Sequence, residues 1–286
     1  FEEACAHPLP TCIWTNTSRI SSRELSVVLA DEGVAHEPVA WMPDAFILRD
    51  DINPGTTLAY MAGLCHVQEE VSLLPVFALS PEVGDRVLDL CAAPGNKTVH
   101  AAAAVGDAGL VLANDRSGAR LNVLRTALAR LGLPNVCTTN YDAASFPHHD
   151  ARFDCVIADV PCSCEGTSRK HPDVVRRASV EQSTWLAERQ RAILDRAVRC
   201  CRPGGRIVYS TCTYAPEENE LVVDAALRAH EDLRMLPVNV PGLVHAKGID
   251  EWGGRKLHPD LRLALRVWPH QNDSGGFFVA VMKRLA

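Results

Sequence analysis

The stretch RVLDLCAAPGNKT, residues 86–98, joins a short apolar run to a proline–glycine turn and then to the start of a helix. Gly95 in this turn lets another part of the structure approach the backbone closely. The helix begins near Asn96 or Lys97, so its free amide groups face the turn. The stretch lacks the glycine spacing of a dinucleotide fingerprint and the earlier glycine of a Walker loop. We interpret it as a strand-to-helix turn that binds a nucleoside without a phosphate cradle.

From Val83 onward, apolar runs alternate with helical patterns, which is typical of a parallel sheet covered by helices. The predicted strands are 86–91, 110–114, 135–140, 153–159, 206–210 and 233–238, with a final pair at 263–268 and 276–283. The predicted helices are 97–105, 117–131, 180–201 and 216–230, with Gly132, Gly204 and Gly205 at helix exits or turns. This order predicts an α/β, Rossmann-like catalytic domain over residues 67–286.

Residues 1–66 differ from the rest and predict a small α/β, RRM-like accessory module. Its predicted elements are a strand at 11–17 and a helix at 21–32, which Ser21 or Ser22 caps. The stretch 67–79 predicts a helix that bridges the two parts and that Pro75 bends or ends.

Bulk composition supports a sizeable core and argues against two classes of protein. Of the 286 residues, 47% are hydrophobic and 22% are charged, which is ordinary for a soluble protein. No apolar run reaches the roughly 18 residues of a spanning helix, and no signal peptide is visible, so we expect no membrane partner. The net charge of −6 argues against a protein that coats nucleic acid indiscriminately.

The eleven cysteines have neither the spacing of a disulfide framework nor a Cys-x-x-Cys pair. We therefore predict no metal site. Reduced thiols in an intracellular compartment, the nucleus or the cytoplasm, are the best interpretation. We expect the chain to be a monomer.

Acidic residues follow three successive predicted strands: Asp115, Asp142 and Asp159. Because the carboxyl ends of parallel strands meet at one crevice, we expect these side chains to face one ligand. Asp115 is placed for ribose hydroxyls and Asp142 for an adenine amino group, with helix capping as the alternative role of both. A nucleoside cofactor without a phosphate cradle points to S-adenosylmethionine. The predicted cofactor-binding residues are Cys91, Ala92, Ala93, Pro94, Gly95, Asn96, Lys97, Asp115, Asp142 and Asp159.

Two cysteines follow two further predicted strands. Cys162 lies in DVPCS, residues 159–163, and Cys212 lies in YSTCT, residues 209–213. Thiols beside a nucleoside cofactor predict covalent chemistry on an electron-poor ring. The spacing alone does not choose between the two thiols as the nucleophile.

Together these motifs resemble the Sun/RsmB-type RNA (cytosine-5-)-methyltransferases. The matching segments are 89–98, 159–163, 209–213 and 275–280, preceded by the stretch 68–75, and the similarity covers residues 11–286. The resemblance implies a class I S-adenosylmethionine-dependent fold, an RNA partner and 5-methylcytosine as the product. It also implies that Cys212 attacks cytosine C6 to form a covalent adduct and that Cys162 assists product release.

Two shorter strings, residues 165–170 and 266–271, look most like the eukaryotic tRNA-modifying, Trm-type branch of that family. They imply tRNA as the substrate, with rRNA as the alternative. Cys164 departs from the glycine that more usually follows Pro-Cys-Ser in the family. A basic cluster after this loop is predicted to contact phosphates: Arg169, Lys170, Arg176 and Arg177.

Three other classes of protein compete with this interpretation. A DNA cytosine-5 methyltransferase needs a Glu-Asn-Val string, which the sequence lacks. A thiol-redox protein is disfavoured because no cysteine pair has the usual spacing. A catalytically silent RNA-binding scaffold of the same fold stays open, although every expected catalytic residue is present.

Overall fold

The computed structural model describes residues 1–49, 52–147 and 151–286. Its N-terminal elements are α1 (Glu2–Ala6), β1 (Thr11–Thr15), α2 (Ser22–Asp31), β2 (His36–Val39), β3 (Met42–Leu48), α3 (Leu58–Met61) and β4 (Cys65–Val67). The four strands form an antiparallel sheet in the order β2-β3-β1-β4. Ser21 caps α2 through a reciprocal pair of bonds with Glu24, as the sequence predicts. The expected α/β module is therefore present.

The segment between the two sheets differs from the predicted bridging helix. Val67 ends β4, one residue beyond the predicted domain boundary, which stays a prediction. A 3₁₀ turn spans Glu70–Leu73, and α4 spans Leu74–Leu79. Pro75 lies in the first turn of α4, where a missing N–H costs nothing. It therefore starts this helix and does not bend or end it.

The larger sheet belongs to an α/β domain of alternating strands and helices. Its elements are β5 (Arg86–Asp89), α5 (Asn96–Val105), β6 (Leu110–Asn114), α6 (Gly118–Leu131), β7 (Val136–Thr139), β8 (Phe153–Asp159), α7 (Asp173–Arg177), α8 (Val180–Cys200), β9 (Cys201–Thr211), α9 (Glu220–Ala229), β10 (Leu233–Met235), β11 (Ala246–Lys247), β12 (Glu251–Trp252), β13 (Arg255–Lys256), β14 (Leu265–Val267), α10 (Pro269–Asn272) and β15 (Phe277–Arg284). The strand order is β11-β14-β15-β9-β8-β5-β6-β7, with β10 paired to β15 and β12 and β13 as a separate hairpin.

Strands β5 to β9 supply the parallel part of this sheet, and β15 joins β9 in the antiparallel direction. Apolar strand residues pack against helices in two buried clusters. This confirms the Rossmann-like expectation. Among the residues that the structure describes, no helix is long and apolar enough to cross a membrane.

The predicted helix at 216–230 starts four residues too early. The Asn219 side chain accepts a hydrogen bond from the Thr211 hydroxyl at 2.5 Å and donates one to the Thr213 carbonyl at 3.0 Å. These bonds tie the preceding turn to the end of β9, so α9 begins only at Glu220. A tertiary contact therefore delays the start of the helix beyond Pro216, where the sequence predicts it.

The predicted turn at Gly204 and Gly205 is also wrong, because both glycines lie inside β9. Phe153 pairs with Cys201, whereas Cys155 pairs with Arg206, so extra residues bulge from the strand between these two points. After the bulge, β8 and β9 run in register to the pair Asp159–Ser210. The segments that follow the two strands consequently leave the sheet side by side.

Candidate active site

The turn after β5 packs so closely on α6 that only glycine fits at position 95. Gly95 has φ +125°, and a Cβ there would lie 2.6 Å from Leu124 Cδ1 and 3.4 Å from Leu124 Cα. This packing directs the turn toward a cleft of about 570 Å³. The predicted site residues that line the cleft are Cys91, Ala92, Ala93, Pro94, Asn96, Lys97, Asp159 and Cys212.

A smaller cleft of about 330 Å³ brings the loop and the two predicted thiols together. Its lining includes Cys91, Ala93, Pro94, Asp115, Asp159, Cys162 and Cys212. Among the predicted residues, all of which the structure describes, Gly95 and Asp142 lie outside the lining of both clefts.

Asp89, at the end of β5, has an oxygen free for a ligand. Its side chain is 1% exposed, and Thr98 donates a hydrogen bond to Oδ2 at 2.7 Å. The other oxygen, Oδ1, has no partner among the described residues. Burial, with a smaller contribution from Asp159, raises the pKa of Asp89 to about 7. A buried acceptor beside the first amides of α5 fits a nucleoside cofactor that carries an ammonium group.

Sequence reasoning did not single out Asp89 as a ligand. It lies at the carboxyl end of a parallel strand, as the three predicted aspartates do. That position was a signal available in the sequence.

Asp115 lines the smaller cleft, but the capping alternative is wrong for it, because Ser117 is the residue that caps α6. Its Oδ1 accepts a bond from Ser117 N at 2.8 Å, and its Oδ2 accepts one from Ala93 N at 3.2 Å. Arg120 Nη1 lies 3.5 Å from Oδ2, and the same guanidinium donates to the Ala93 carbonyl. Asp115 thus joins the cofactor loop to α6, and its role toward ribose stays a prediction.

Asp142 makes contacts that fit the capping alternative. Its Oδ1 accepts bonds from Ala144 N at 3.0 Å and from Arg189 Nη2 at 2.8 Å. The neighbouring Ala143 and Arg189 line the smaller cleft. Asp142 therefore lies beside the cleft, and its contact with adenine stays a prediction.

Asp159 and Lys97 form an ion pair between the two clefts. Lys97 Nζ lies 2.8 Å from Asp159 Oδ2, and Ser210 donates to Asp159 Oδ1 at 2.7 Å. Burial alone lowers the pKa of Lys97, but the Asp159 carboxylate raises it above the usual value. The buried cation is therefore retained, with the Phe277 ring 5.2 Å away.

Three thiols meet beyond this ion pair. Cys162 Sγ lies 3.4 Å from Cys212 Sγ and 3.9 Å from Cys164 Sγ. Bonds with the other two thiols raise the pKa of Cys162, and the bond from Cys162 lowers that of Cys164. For Cys212 the bond from Cys162 lowers the pKa, but Cys164 and burial outweigh it and raise the pKa overall. The pKa of each thiol in the cluster therefore depends on the other two.

The loop that carries Cys162 is held by a buried carboxylate that sequence reasoning missed. Glu218 Oε2 accepts bonds from Ser163 N at 3.0 Å and from Gln190 Nε2 at 2.8 Å. Gln190 also donates to the Pro161 carbonyl at 2.9 Å. Ser163 and Glu218 are far apart in sequence, and Glu218 looks like an ordinary residue near a helix start, so no local pattern indicates this contact.

Backbone contacts without intervening side chains support Cys212. Gly166 N donates to the Cys212 carbonyl at 2.8 Å, and Gly276 N donates to the Gly166 carbonyl at 2.9 Å. A Cβ on Gly166 would lie 2.2 Å from Gly276 O, and one on Gly276 would lie 2.2 Å from Tyr214 Cε1. Both glycines are therefore required for three chain segments to meet at the thiol.

The predicted phosphate contact of Arg169 is wrong, because its guanidinium is buried and already bonded. It donates to the carbonyls of His7, Pro8 and Ser274 at 2.7 to 3.1 Å and pairs with Asp273 at 2.7 Å. The other members of the cluster, Lys170, Arg176 and Arg177, are exposed. Arg169 anchors the N-terminal segment, and the exposed cations keep the predicted phosphate role.

Two family models match the chain. The model described as "16S rRNA methyltransferase RsmB/F" matches residues 76–283, and the "N-terminal domain of 16S rRNA methyltransferase RsmF" matches residues 1–70. The chain belongs to the RsmB/F methyltransferase family. This membership confirms the Sun/RsmB-type resemblance and S-adenosylmethionine as the family's cofactor. The buried Asp89 acceptor and the glycine turn fit that cofactor.

Relatives extend along the whole chain. "Ribosomal RNA small subunit methyltransferase F" of Citrobacter koseri is 37% identical over 297 residues, covering 100% of this chain and 59% of the relative. "28S rRNA (cytosine-C(5))-methyltransferase" of Mus musculus is 35% identical over 292 residues, covering 100% of this chain and 36% of the relative. A solved methyltransferase homologue from Pyrococcus horikoshii has a TM-score of 0.88 at 31% identity, covering 99% of this chain and 89% of that chain. The chain therefore spans 36% to 59% of the length of these two curated relatives.

Proposed function

We propose that this RsmB/F family member transfers a methyl group from S-adenosylmethionine to C5 of cytosine in RNA. The observation that carries the proposal is the Cys162–Cys212 pair, 3.4 Å apart, in a cleft shared with the cofactor loop. Cytosine C5 is too weak a nucleophile to take a methyl group unaided. A thiolate that adds to C6 turns C5 into an enamine-like carbon, and a second thiol beside it serves the later elimination.

In this mechanism Cys212 is the nucleophile. Its Sγ forms a bond to C6, and the electron pair of the C5–C6 double bond is delocalised toward N3 and the ring carbonyl. When bound, S-adenosylmethionine supplies an electrophilic methyl group, whose departing sulfur keeps the electron pair of the broken bond. Loss of the C5 proton to a base then restores the double bond and expels Cys212 as a thiolate. Lys97 favours this thiolate, because the charges of Lys97 and Cys212 interact.

Cys162 assists the elimination. Its Sγ is close enough to Cys212 to face the same ring and to accept the C5 proton. Asp159 lines both clefts and keeps lone pairs free beyond its bonds with Lys97 and Ser210. We assign it the N3 or amino edge of the cytosine. The base must leave any stack to reach these groups, so the target is unpaired or flipped out of a stem.

The names of the two curated relatives favour rRNA as the substrate. The tRNA preference implied by residues 165–170 and 266–271 stays a prediction. The exposed Lys170, Arg176 and Arg177 follow the thiol loop and form a basic edge for the phosphate backbone. This edge serves either RNA, so the substrate class must come from experiment.

Bisulfite sequencing tests the proposal. The rRNA and tRNA are purified from cells that lack the protein, incubated with the protein and S-adenosylmethionine, and then sequenced. We expect protected cytosines in rRNA with the wild type and with Cys137→Ala, which alters an exposed thiol on β7. Protection in tRNA alone overturns the rRNA assignment and keeps the chemistry. RNA binding without protection in any RNA overturns the chemistry and indicates a silent scaffold.

The proposed chemistry also needs reduced thiols. An intracellular, reducing compartment, the nucleus or the cytoplasm, meets that need. One chain supplies the thiols and the cofactor loop, so a monomer suffices for this site.

A further inference from the structure

The proposed mechanism uses two of the three clustered thiols, Cys162 and Cys212, and leaves Cys164 without a role. Cys164 has φ +63°, a left-handed conformation in which glycine is favoured. Its thiol donates to the Cys162 carbonyl at 3.2 Å, which directs Sγ toward the pair. Cys164 lines both clefts, so the group is open to solutes.

The three sulfurs have the spacing of ligands around one metal ion. Two of the separations are 3.4 and 3.9 Å, and all three sulfurs lie within 4.8 Å of one another. Sulfurs on a tetrahedral zinc ion, with Zn–S bonds of about 2.3 Å, lie about 3.8 Å apart. Small rotations of Cys164 and Cys212 therefore suffice to bring all three to bonding distance.

The chemistry of this donor set selects soft ions. Thiolates prefer Zn²⁺ and related thiophilic ions over Mg²⁺ or Ca²⁺, which require oxygen ligands. The thiols release their protons to solvent as their bonds to the ion form. The fourth position of a tetrahedral ion would face the cleft, where water completes it.

We propose that Cys162, Cys164 and Cys212 form a three-thiolate site for Zn²⁺ or a similar thiophilic ion, which occupies the nucleophile and blocks catalysis. The binding part of this inference is independent of the proposed function. The blocking part rests on it, because an ion on Cys212 stops methyl transfer only if Cys212 attacks the base. Local spacing does not indicate this site, because the site combines Cys162-x-Cys164 with a cysteine that follows another strand, β9.

Cobalt substitution tests the binding. Reduced, oxygen-free protein is titrated with Co²⁺, and thiolate-to-cobalt charge-transfer and tetrahedral d–d absorption are recorded before displacement by Zn²⁺. We expect one ion per wild-type chain. Binding to Cys164→Gly should be at least about tenfold weaker, because losing a direct ligand lowers metal affinity more than losing a group that only orients a ligand. Cys137→Ala removes an exposed, remote thiol and should match the wild type.

Equal cobalt spectra and affinity in the wild type and Cys164→Gly overturn the site, as does a wild type without charge-transfer absorption. Glycine suits the backbone at position 164, so Cys164→Gly should fold. Cys164→Ser serves as a second variant, and thermal unfolding verifies both.

Inhibition tests the second part. Zn²⁺ should inhibit methyl transfer by the wild type, with recovery on adding a chelator, and Cys164→Gly should need at least about tenfold more Zn²⁺ for half-inhibition. Each variant is compared with its own metal-free rate. Cobalt binding without inhibition overturns the blocking role alone. Absence of methyl transfer in metal-free wild type is a failure of the proposed function, and the cobalt result then stands separately.

Discussion

The cofactor end and the thiol end of the cleft hold their functional groups in different ways. At the cofactor end, Asp115 bonds two backbone amides, and Gly95 is fixed by contact with Leu124. At the thiol end, the backbone of Cys212 is also held, by Gly166, but the sulfur of Cys162 contacts only other sulfurs, those of Cys164 and Cys212, in the part of the chain that the structure describes. A ligand-binding loop therefore depends on backbone shape, whereas the reacting groups depend on single sulfur atoms. Substitutions at the two ends should fail differently.

Cys212→Ala should have the largest effect, because it removes the sulfur that attacks C6. We expect methyl transfer to fall by at least about a thousandfold, while S-adenosylmethionine affinity stays within about twofold of wild type. Tritium transfer and calorimetry measure the two quantities. Wild-type-like turnover would remove Cys212 from the mechanism.

Cys162→Ala should separate attack from release. We expect one methylation per enzyme, followed by a protein–RNA adduct that resists a denaturing gel and is removed by ribonuclease. Cys212→Ala and the double variant should form no adduct, since the covalent bond is missing. An adduct with Cys212→Ala instead would reverse the two roles.

Gly95→Ala should show that the cofactor end depends on backbone shape. The substitution combines left-handed strain with the contact to Leu124, and we expect a loss of about 3 kcal/mol in stability and weaker cofactor binding. Gly84→Ala is the matched control, since Gly84 has φ +93° with no atom within 4 Å of the added Cβ. Denaturant unfolding of both variants separates the effect of the contact with Leu124 from the effect of the backbone strain. Equal losses would show that Leu124 does not limit this turn.

Asp115→Ala distinguishes ligand binding from support of the loop at the same end. If Asp115 accepts bonds from ribose, cofactor binding should weaken by about 1.5–3 kcal/mol. If it acts only through Ser117 N and Ala93 N, the melting temperature should fall with affinity intact. Calorimetry and thermal unfolding of one variant decide between the two roles.

Asp89→Asn should have the smallest effect, visible as a change in pH dependence. Folding raises the pKa of Asp89 from 3.8 to about 7. Between pH 3.8 and about 7, Asp89 is therefore protonated in the cofactor-free folded state and ionised in the unfolded state. This contribution to stability is complete below about pH 4 and is lost as pH rises through 7, with a slope of at most about 1.4 kcal/mol per pH unit. Asparagine does not titrate, so this slope should disappear. Unfolding free energies of the wild type and Asp89→Asn at pH 5 and 8 measure this slope. An unchanged slope in Asp89→Asn would show that another group takes up the proton.

Local sequence patterns predicted the parts of the molecule that local forces build. The strands at 110–114 and 153–159 have the predicted bounds, because each is a short, mostly apolar run within the sheet. The two thiols follow β8 and β9, as predicted, and the pairing of these strands brings them together. Membership of the family then confirmed the fold class.

The remaining features depend on contacts between distant parts of the chain. The sequence predicts a phosphate contact for Arg169, yet its guanidinium bonds the carbonyls of His7 and Pro8. Glu218 gave no signal, because its partner Ser163 lies on another strand end. Cys164 differed visibly from the family pattern, but only the folded arrangement shows its thiol beside the other two. Burial and long-range partners decide such roles, and neither is written in local spacing.

The glycine contacts at the thiol end also set an order of events during synthesis. Cys162 and Cys212 leave the ribosome before Gly276, whose amide bonds the Gly166 carbonyl and so completes the backbone support of Cys212. A growing chain therefore carries both thiols before the framework that aligns them exists. Competence to trap RNA arrives only with β15, so adduct formation would report completed folding of the nascent domain.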